Sequence, residues 1–138
     1  VRQVDRDFFA QDQNVSFADA FPLLLTNTAS LKNLNEKLDQ SVSMSRFRPN
    51  IVFEGDKAFQ EDDWLRVSIG GIDFDLVKPC NRCGMTTINE KGELGKEPLK
   101  TLASYRKNDF GVCFGQNLVH LGSGTLKVGD VLVVKTLA

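Results

Sequence analysis

Residues 64–77 read WLRVSI-GG-IDFDLV, two runs of alternating polar and apolar residues joined by the glycine pair Gly70-Gly71. A two-residue glycine turn between such runs predicts a β-hairpin. Pairing across this turn places the apolar side chains on one face as three facing pairs: Leu65–Leu76, Val67–Phe74 and Ile69–Ile72. The opposite face pairs Arg66 with Asp75. A slip of one residue would expose the whole apolar set, so the pattern specifies the register strongly.

Further strands and one helix are predicted on either side of this hairpin. Leucines spaced at i, i+3 and i+7 in ASLKNLNEKLDQ (29–40) predict an amphipathic helix, with Asn27 or Thr28 as its N-cap. In RFRPNIVFEG (46–55), Pro49 lacks an amide hydrogen and belongs at the start of a strand. Four more segments are predicted as short strands, with turns at Asn108-Asp109 and at 122–124: VSFADAFPLLL (15–25), LASYR (102–106), FGQNLVHL (114–121) and TLKVGDVLVVK (125–135).

This balance predicts a mostly β fold, a curled or barrel-like sheet with one helix packed outside it. We expect a single domain over residues 1–138, in which the first 15 residues are weakly patterned and form a loop or a fraying end.

Length and charge exclude several classes of partner. The 138 residues carry 17 Lys and Arg against 18 Asp and Glu, so no surplus of positive charge favours nucleic acid or an anionic membrane. No apolar run approaches the roughly 20 residues of a membrane span, and the first residues lack the apolar core of a signal peptide. The expectation is a soluble, cytoplasmic protein, and no pattern indicates its oligomeric state.

The three cysteines are Cys80, Cys83 and Cys113, an odd number that favours reduced thiols over a disulfide scaffold. The pair Cys-Asn-Arg-Cys leaves several interpretations open. A zinc site lacks two further ligands at a usual spacing, and a thioredoxin-like site needs a helix that the residues after Cys83 do not favour. The pair could supply a single thiolate ligand to a larger cofactor, helped by the positive charge of Lys78 and Arg82, or be small buried hydrophobes.

Other polar clusters give weaker indications. Arg46, Arg48 and Asn50 at a strand entrance offer donors suited to phosphate and to a heterocycle edge, or are a solvated strand end. The acidic run 61–63 is more typical of a solvated turn than of a cation site, and His120 is predicted to be an ordinary strand residue. No Ser-His-Asp order and no phosphate-binding loop occur.

Together, several segments resemble the MOSC domain, and the resemblance runs from about Phe17 to about Val134. They are RFRPNIVFEG, AFQEDDW, VKPCNRCGMTTIN, EPLKTLASYR, FGQNLV and TLKVGD. The most similar branch comprises bacterial reductases of N-hydroxylated bases and the amidoxime-reducing component of mitochondria. The combination of RFRPN with PCxRCxxTT at this separation is specific, whereas each piece alone is weak.

The resemblance implies a β-rich fold that holds a molybdenum-pterin cofactor. It places the protein ligand to molybdenum at Cys83, and the residues that approach the cofactor's phosphate and pterin at Arg48 and Asn50. The family usually has serine two residues before the ligand cysteine, where this chain has Asn81. Cys80 would support the site or be structural, and Cys113 would take no part.

The function implied is that of an oxidoreductase domain that reduces N-hydroxylated compounds, with an iron–sulfur or flavin protein as electron donor. Pyridoxal phosphate, which the sulfurases bind on a separate domain, is not expected on this chain. Relatives in this branch also carry an amino-terminal barrel portion that this sequence does not contain, which suggests a fragment or a shortened homologue. Two alternatives stay open: a non-catalytic carrier of the cofactor or of sulfur, and a β domain whose cysteines are only structural.

Overall fold

The structure, a computed structural model, describes residues 23–138 together with two short strands at 2–4 and 14–17. Ten strands are described: β1 Arg2–Val4, β2 Asn14–Phe17, β3 Leu23–Asn27, β4 Ile51–Glu54, β5 Trp64–Ile69, β6 Ile72–Asn81, β7 Lys107–Asn108, β8 Gly111–His120, β9 Gly124–Lys127 and β10 Val131–Leu137. Two α-helices, α1 Thr28–Asn35 and α2 Leu99–Tyr105, and three short 3₁₀ helices, η1 Met44–Phe47, η2 Gln60–Asp63 and η3 Gly84–Thr87, connect them.

Eight of the strands form one curled sheet in the order β3-β4-β1-β10-β5-β6-β8-β7. The sheet curls far enough for β3 to pair in parallel with β4 and antiparallel with β8. The remaining two described strands, β2 and β9, pair with each other. The curled, mostly β fold predicted from the sequence is therefore confirmed.

The β5–β6 hairpin has the predicted register over most of its length. Ile69 lies opposite Ile72, and on the outer face Arg66 Nε donates to Asp75 Oδ1 at 2.7 Å. The expectation that Leu65 faces the core is wrong: its side chain is 47% exposed, whereas Trp64 is 6% exposed and contacts Phe53. The pairing of β5 with β10 shifts register at this end of the strand, so Trp64 takes the inward position.

Helix α1 confirms the predicted amphipathic helix but ends at Asn35 rather than at residue 40. Asn27 is its N-cap, accepting from the Ala29 amide at 2.8 Å. The helix ends where the Asn35 side chain bonds both backbone groups of Val42, at 3.1 and 2.9 Å, which turns the chain. Leu34 faces inward and is fully buried.

Residues 102–106, predicted as a strand, belong mostly to helix α2, so this prediction is wrong. Glu97 accepts from the Thr101 amide at 2.8 Å and from its hydroxyl at 2.6 Å, satisfying a free donor of the first helical turn. Pro98 stands at the N-cap position. The side chain of Leu102 is fully buried where the helix packs against the sheet.

Two apolar clusters stabilise the described residues. The larger one fills the concave side of the sheet and includes Phe53, Trp64 and Phe74. The smaller one joins α1, η1, α2 and β8 through Leu34, Phe47, Leu102 and Phe114. The η1 segment is thus fixed against β8, and this contact positions the candidate site.

Some predictions fall partly on residues without a description. The strand predicted at 15–25 corresponds to the end of β2 and the start of β3, and residues 18–22 lie outside the described part. The expected loose segment 1–15 is described only at β1 and at the first residues of β2. In the part of the chain that the structure describes, no helix combines the length and the apolar character needed to cross a membrane.

Candidate functional site

Cys83 lies two residues after the end of strand β6. Its backbone is extended, and the 3₁₀ helix η3 begins at the next residue. The Cys83 carbonyl accepts from the Thr86 amide at 3.2 Å and from the Thr86 hydroxyl at 2.9 Å, while the Thr87 hydroxyl donates to the Gly84 carbonyl at 2.6 Å. Both threonines are buried and Cys83 is exposed. The fold therefore fixes the backbone of this cysteine and leaves its thiol accessible.

The role of the two threonines was not foreseen from the sequence. Thr86 and Thr87 entered there only as part of a family motif. A threonine hydroxyl readily donates to the backbone carbonyl three residues earlier in the chain. The positions of Thr86 and Thr87, three residues after Cys83 and Gly84, could therefore have indicated these two bonds.

Arg48 and Asn50 lie where η1 passes into strand β4. Arg48 has a left-handed backbone, with φ of 50° and ψ of 51°, and its side chain is exposed. This conformation costs a non-glycine residue roughly 1 kcal/mol, and such residues cluster at functional sites. The backbone at Arg48 is thus a strained point at the entrance of a buried strand.

The Asn50 side chain takes part in strand pairing. The Asn50 Oδ1 atom accepts from the backbone amide of Leu24 at 2.8 Å, and the backbone amide of Asn50 donates to the Leu24 carbonyl at 3.0 Å. The carbonyl oxygen is therefore already used by β3. The side-chain NH₂ group supplies the donors that Asn50 can offer to a ligand.

Two arginine side chains connect η1 to the loop that carries Cys83. Arg46 Nη1 donates to the Thr86 carbonyl at 3.3 Å, and Arg82 Nη2 donates to the Phe47 carbonyl at 2.6 Å. These contacts bring the segment of Arg48 and the segment of Cys83 together, although they are far apart in sequence.

A cleft of about 180 Å³ opens between these two segments. Residues from η1, η3 and the loop that follows η3 line it: Ser45, Arg46, Arg48, Met85, Ile88, Asn89 and Glu90. Arg46, Asn89 and Glu90 also line a second cleft of about 400 Å³ that extends towards Glu97. Two arginines on one wall make the smaller cleft suited to an anionic group.

Buried hydrogen-bond donors without acceptors also indicate that an anionic group could bind here. Among the residues that the structure describes, the Nε atoms of Arg46 and Arg82 are buried and have no hydrogen-bond partner. A buried N–H without a partner costs about 1–3 kcal/mol, so native proteins rarely leave one. Arg46 lines the cleft and Arg82 does not, so the Arg46 donor is the one that fits an anionic ligand there, such as a phosphate-bearing cofactor.

Asn81, the third residue that the resemblance implicates besides Cys83, contacts another element. It pairs with Cys113 in the β6–β8 ladder, and its side chain lies against Gly111, where a Cβ would come within 2.5 Å of Oδ1. Gly111 has a φ of 107°, which favours glycine. Asn81 thus lies on the side of Cys83 that faces β8. Arg48, which directly follows η1, lies on the opposite side.

The three cysteines differ in exposure. Cys83 is exposed, Cys80 is half-buried and Cys113 is buried, and all three are free thiols. Burial raises the pKa of the Cys113 thiol above its ordinary value. Within the described ranges, no group of three or more His, Cys, Asp or Glu could hold a metal ion. The open zinc interpretation therefore gains no support from these residues.

The acidic run is not the solvated turn that the sequence suggested. Glu61 is fully buried and accepts from Asn27 Nδ2 at 3.0 Å, and burial raises its pKa to about 7. Asp62 pairs with Arg106 Nη2 at 2.7 Å and accepts from Gln116 Nε2 at 2.7 Å. The run joins the helix α1 region to β8 and is structural. His120 lies in β8, as predicted.

Comparison with known proteins gives concordant results. The family model described as MOSC domain matches residues 12–133. The chain is 39% identical over 134 residues to mitochondrial amidoxime-reducing component 1 of Homo sapiens, covering 90% of this chain and 40% of that protein. It is 40% identical over 139 residues to the protein of the same name from Mus musculus, covering 94% of this chain and 41% of that one.

Among solved structures, the fold is similar to the crystal structure of YiiM from Geobacillus stearothermophilus. The TM-score is 0.66 at 16% sequence identity, over 88% of this chain and 60% of that chain. At this identity the likeness concerns the fold alone. The chain spans about 40% of the length of the curated relatives that it matches.

Proposed function

This chain belongs to the MOSC domain family, and from that premise we propose that it binds a molybdenum-pterin cofactor through Cys83. We propose further that it forms the cofactor-binding part of an oxidoreductase that reduces N-hydroxylated compounds. The relatives named amidoxime-reducing components support this activity, and the chain spans about 40% of their length. An electron-donor protein, of iron–sulfur or flavin type, is the partner that such a reduction requires.

The observation that carries the proposal is the pairing of an exposed thiol with buried donors that lack acceptors. Cys83 is exposed on a backbone fixed by Thr86, and the nearby Nε atoms of Arg46 and Arg82 have no partner among the described residues. A thiolate is a suitable ligand for a soft metal centre, and guanidinium groups suit phosphate. These two features, on adjacent segments, support the proposal that the chain holds a molybdenum-pterin cofactor.

Each residue has a distinct task in this proposal. Cys83 would ligate the metal and Arg48 would bind the terminal phosphate. Asn50 would donate its side-chain NH₂ to the pterin, because its carbonyl oxygen is used by Leu24. Asn81 would approach from the β8 side. When bound, the cofactor supplies two-electron chemistry that removes oxygen from an N–OH group.

The exposure of Cys83 also favours a second candidate function, a carrier of the cofactor or of sulfur. A thiol that a partner protein can reach could relay sulfur without any turnover of substrate. The two candidates share the binding residues and differ in whether a substrate is reduced.

The test is molybdenum content, measured by mass spectrometry on protein from a cofactor-competent host. We expect molybdenum in the wild-type chain, its loss in Cys83→Ala, and no loss in Cys113→Ala, which removes a thiol elsewhere. Wild-type protein without molybdenum, or equal content in Cys83→Ala, would contradict the proposal. Bound molybdenum without reduction of an amidoxime by reduced viologen would favour the carrier.

A further inference from the structure

Arg82 lies between the two cysteines of the pair. Its guanidinium group contacts both the segment of Cys80 and the segment of Phe47. Its Nη2 donates to the Phe47 carbonyl at 2.6 Å, and its Nη1 donates to Cys80 Sγ at 3.1 Å. Few side chains can do this, since only arginine offers several donors in a rigid planar fork.

The groups that Arg82 contacts are themselves fixed. Phe47 is fully buried, and its ring stacks on that of Phe114 with centroids 4.0 Å apart and planes inclined by 14°. The guanidinium carbon lies 5.5 Å from the centre of the Phe47 ring, a cation–π distance. The backbone amide of Arg82 donates to the Val112 carbonyl at 2.7 Å. Strand β8 therefore orders both Arg82 and its acceptor in η1.

These contacts lie next to the residues of the proposed site. Phe47 directly precedes Arg48, and Cys80 lies near the end of β6, three residues before Cys83. The separation of Arg48 from Cys83 thus depends on a guanidinium bonded to both segments. Arg46 gives a second contact between η1 and η3, but at 3.3 Å and to the Thr86 carbonyl alone.

We propose that Arg82, with Cys80 as its acceptor, is a positioning residue that holds Cys83 at a fixed separation from Arg48. This inference rests on the proposed function, since it concerns the site where Cys83 binds molybdenum. It gives Cys80 a task of its own: its sulfur is the acceptor that orients the guanidinium.

The first test compares molybdenum retention during dialysis in wild type, Arg82→Lys, Arg82→Gln and Cys80→Ser. Loss of a residue that orients a metal ligand typically weakens metal binding about 10–100-fold, and we expect that range for both Arg82 variants. Lysine fails because its single ammonium lacks the planar fork. Cys80→Ser keeps an acceptor and retains molybdenum like the wild type. Arg66→Gln, which removes an exposed guanidinium on the other face, is the matched control.

The second test needs no cofactor and uses amide hydrogen exchange on the metal-free chain. Arg82→Gln should lose protection at 44–50 and 80–87 while residues 64–75 of the β5–β6 hairpin keep theirs. Uniform loss over the whole chain would show general destabilisation and overturn the positioning role.

The two sets of results separate this inference from the proposed function. Equal molybdenum in Cys83→Ala and wild type refutes the proposed ligand, whatever the Arg82 variants do. Loss of molybdenum in Cys83→Ala, together with retention within twofold and unchanged exchange in both Arg82 variants, overturns the role of Arg82 alone.

Discussion

The buried carboxyl group of Glu61 should make the stability of this protein depend on pH in an unusual direction. Burial raises the pKa of Glu61 from its ordinary value of 4.5 to about 7. Between these values the unfolded chain releases the proton before the folded chain does. The folded state then binds more protons, so the free energy of unfolding decreases as pH rises through this window.

The size of the effect follows from the shift. Each unit of pKa difference corresponds to about 1.4 kcal/mol, so the contribution of Glu61 falls by roughly 2–3 kcal/mol from pH 5 to pH 8. Glu61→Gln should remove this dependence, since glutamine has the shape of the protonated acid. Its side-chain oxygen can still accept from Asn27 Nδ2, which lies 3.0 Å from Glu61 Oε2.

Urea unfolding at pH 5 and pH 8 is the assay, with wild type, Glu61→Gln and Asp75→Asn compared. We expect the wild type to lose stability relative to Glu61→Gln as pH rises. Asp75→Asn, at the exposed end of an ion pair, should follow the wild type. Parallel curves for wild type and Glu61→Gln would refute the reasoning, because the carboxyl would then titrate alike in both states.

Three further predictions concern packing and hydrogen bonds near the site, with stability measured by urea unfolding and molybdenum content by mass spectrometry. Leu102→Ala should cost about 2–5 kcal/mol, because the side chain is fully buried; a cost below about 1 kcal/mol would contradict the packing of α2. Thr86→Val should cost about 1 kcal/mol by removing the hydroxyl bond to the Cys83 carbonyl, whereas Thr86→Ser should not. Asn50→Ala should cost about 1–2 kcal/mol by leaving the Leu24 amide without its acceptor. Asn50→Asp keeps that acceptor and should retain stability while losing molybdenum, and equal loss of stability in both variants would contradict this.

The parts of the fold set by local alternation were predictable from sequence. The β5–β6 register follows from period-two patterning and the Gly70-Gly71 turn, and helix α1 from its leucine spacing and the Asn27 cap. Leu65 was misplaced because it is the extra residue of a β-bulge in β5: Arg66 lies opposite Thr136 and Trp64 opposite Leu137, so no residue of β10 lies opposite Leu65. Nothing in the sequence of β5 itself marks that bulge.

Features that depend on distant partners were not predictable from local patterns. A run of three acidic residues is normally solvated, and the buried state of Glu61 depends on Asn27 and Ser30, which lie on β3 and α1. Residues 102–106 have no clear strand or helix period, and their helix follows from the Glu97 bonds and the burial of Leu102. The roles of Arg48, Asn50, Asn81 and Cys83 stay predictions. The structure adds the surroundings in which they would act.

The pairing of β3 with β8 has a consequence for how the protein acquires its shape during synthesis. Leu23 lies opposite Leu118, so most of the described chain separates two directly bonded strands. Contacts between such distant segments slow folding, because a long loop must be closed first. On the ribosome the curled sheet cannot close until Gly111–His120 has emerged. Until then β3 exposes an unpaired edge that chaperones or neighbouring chains can reach.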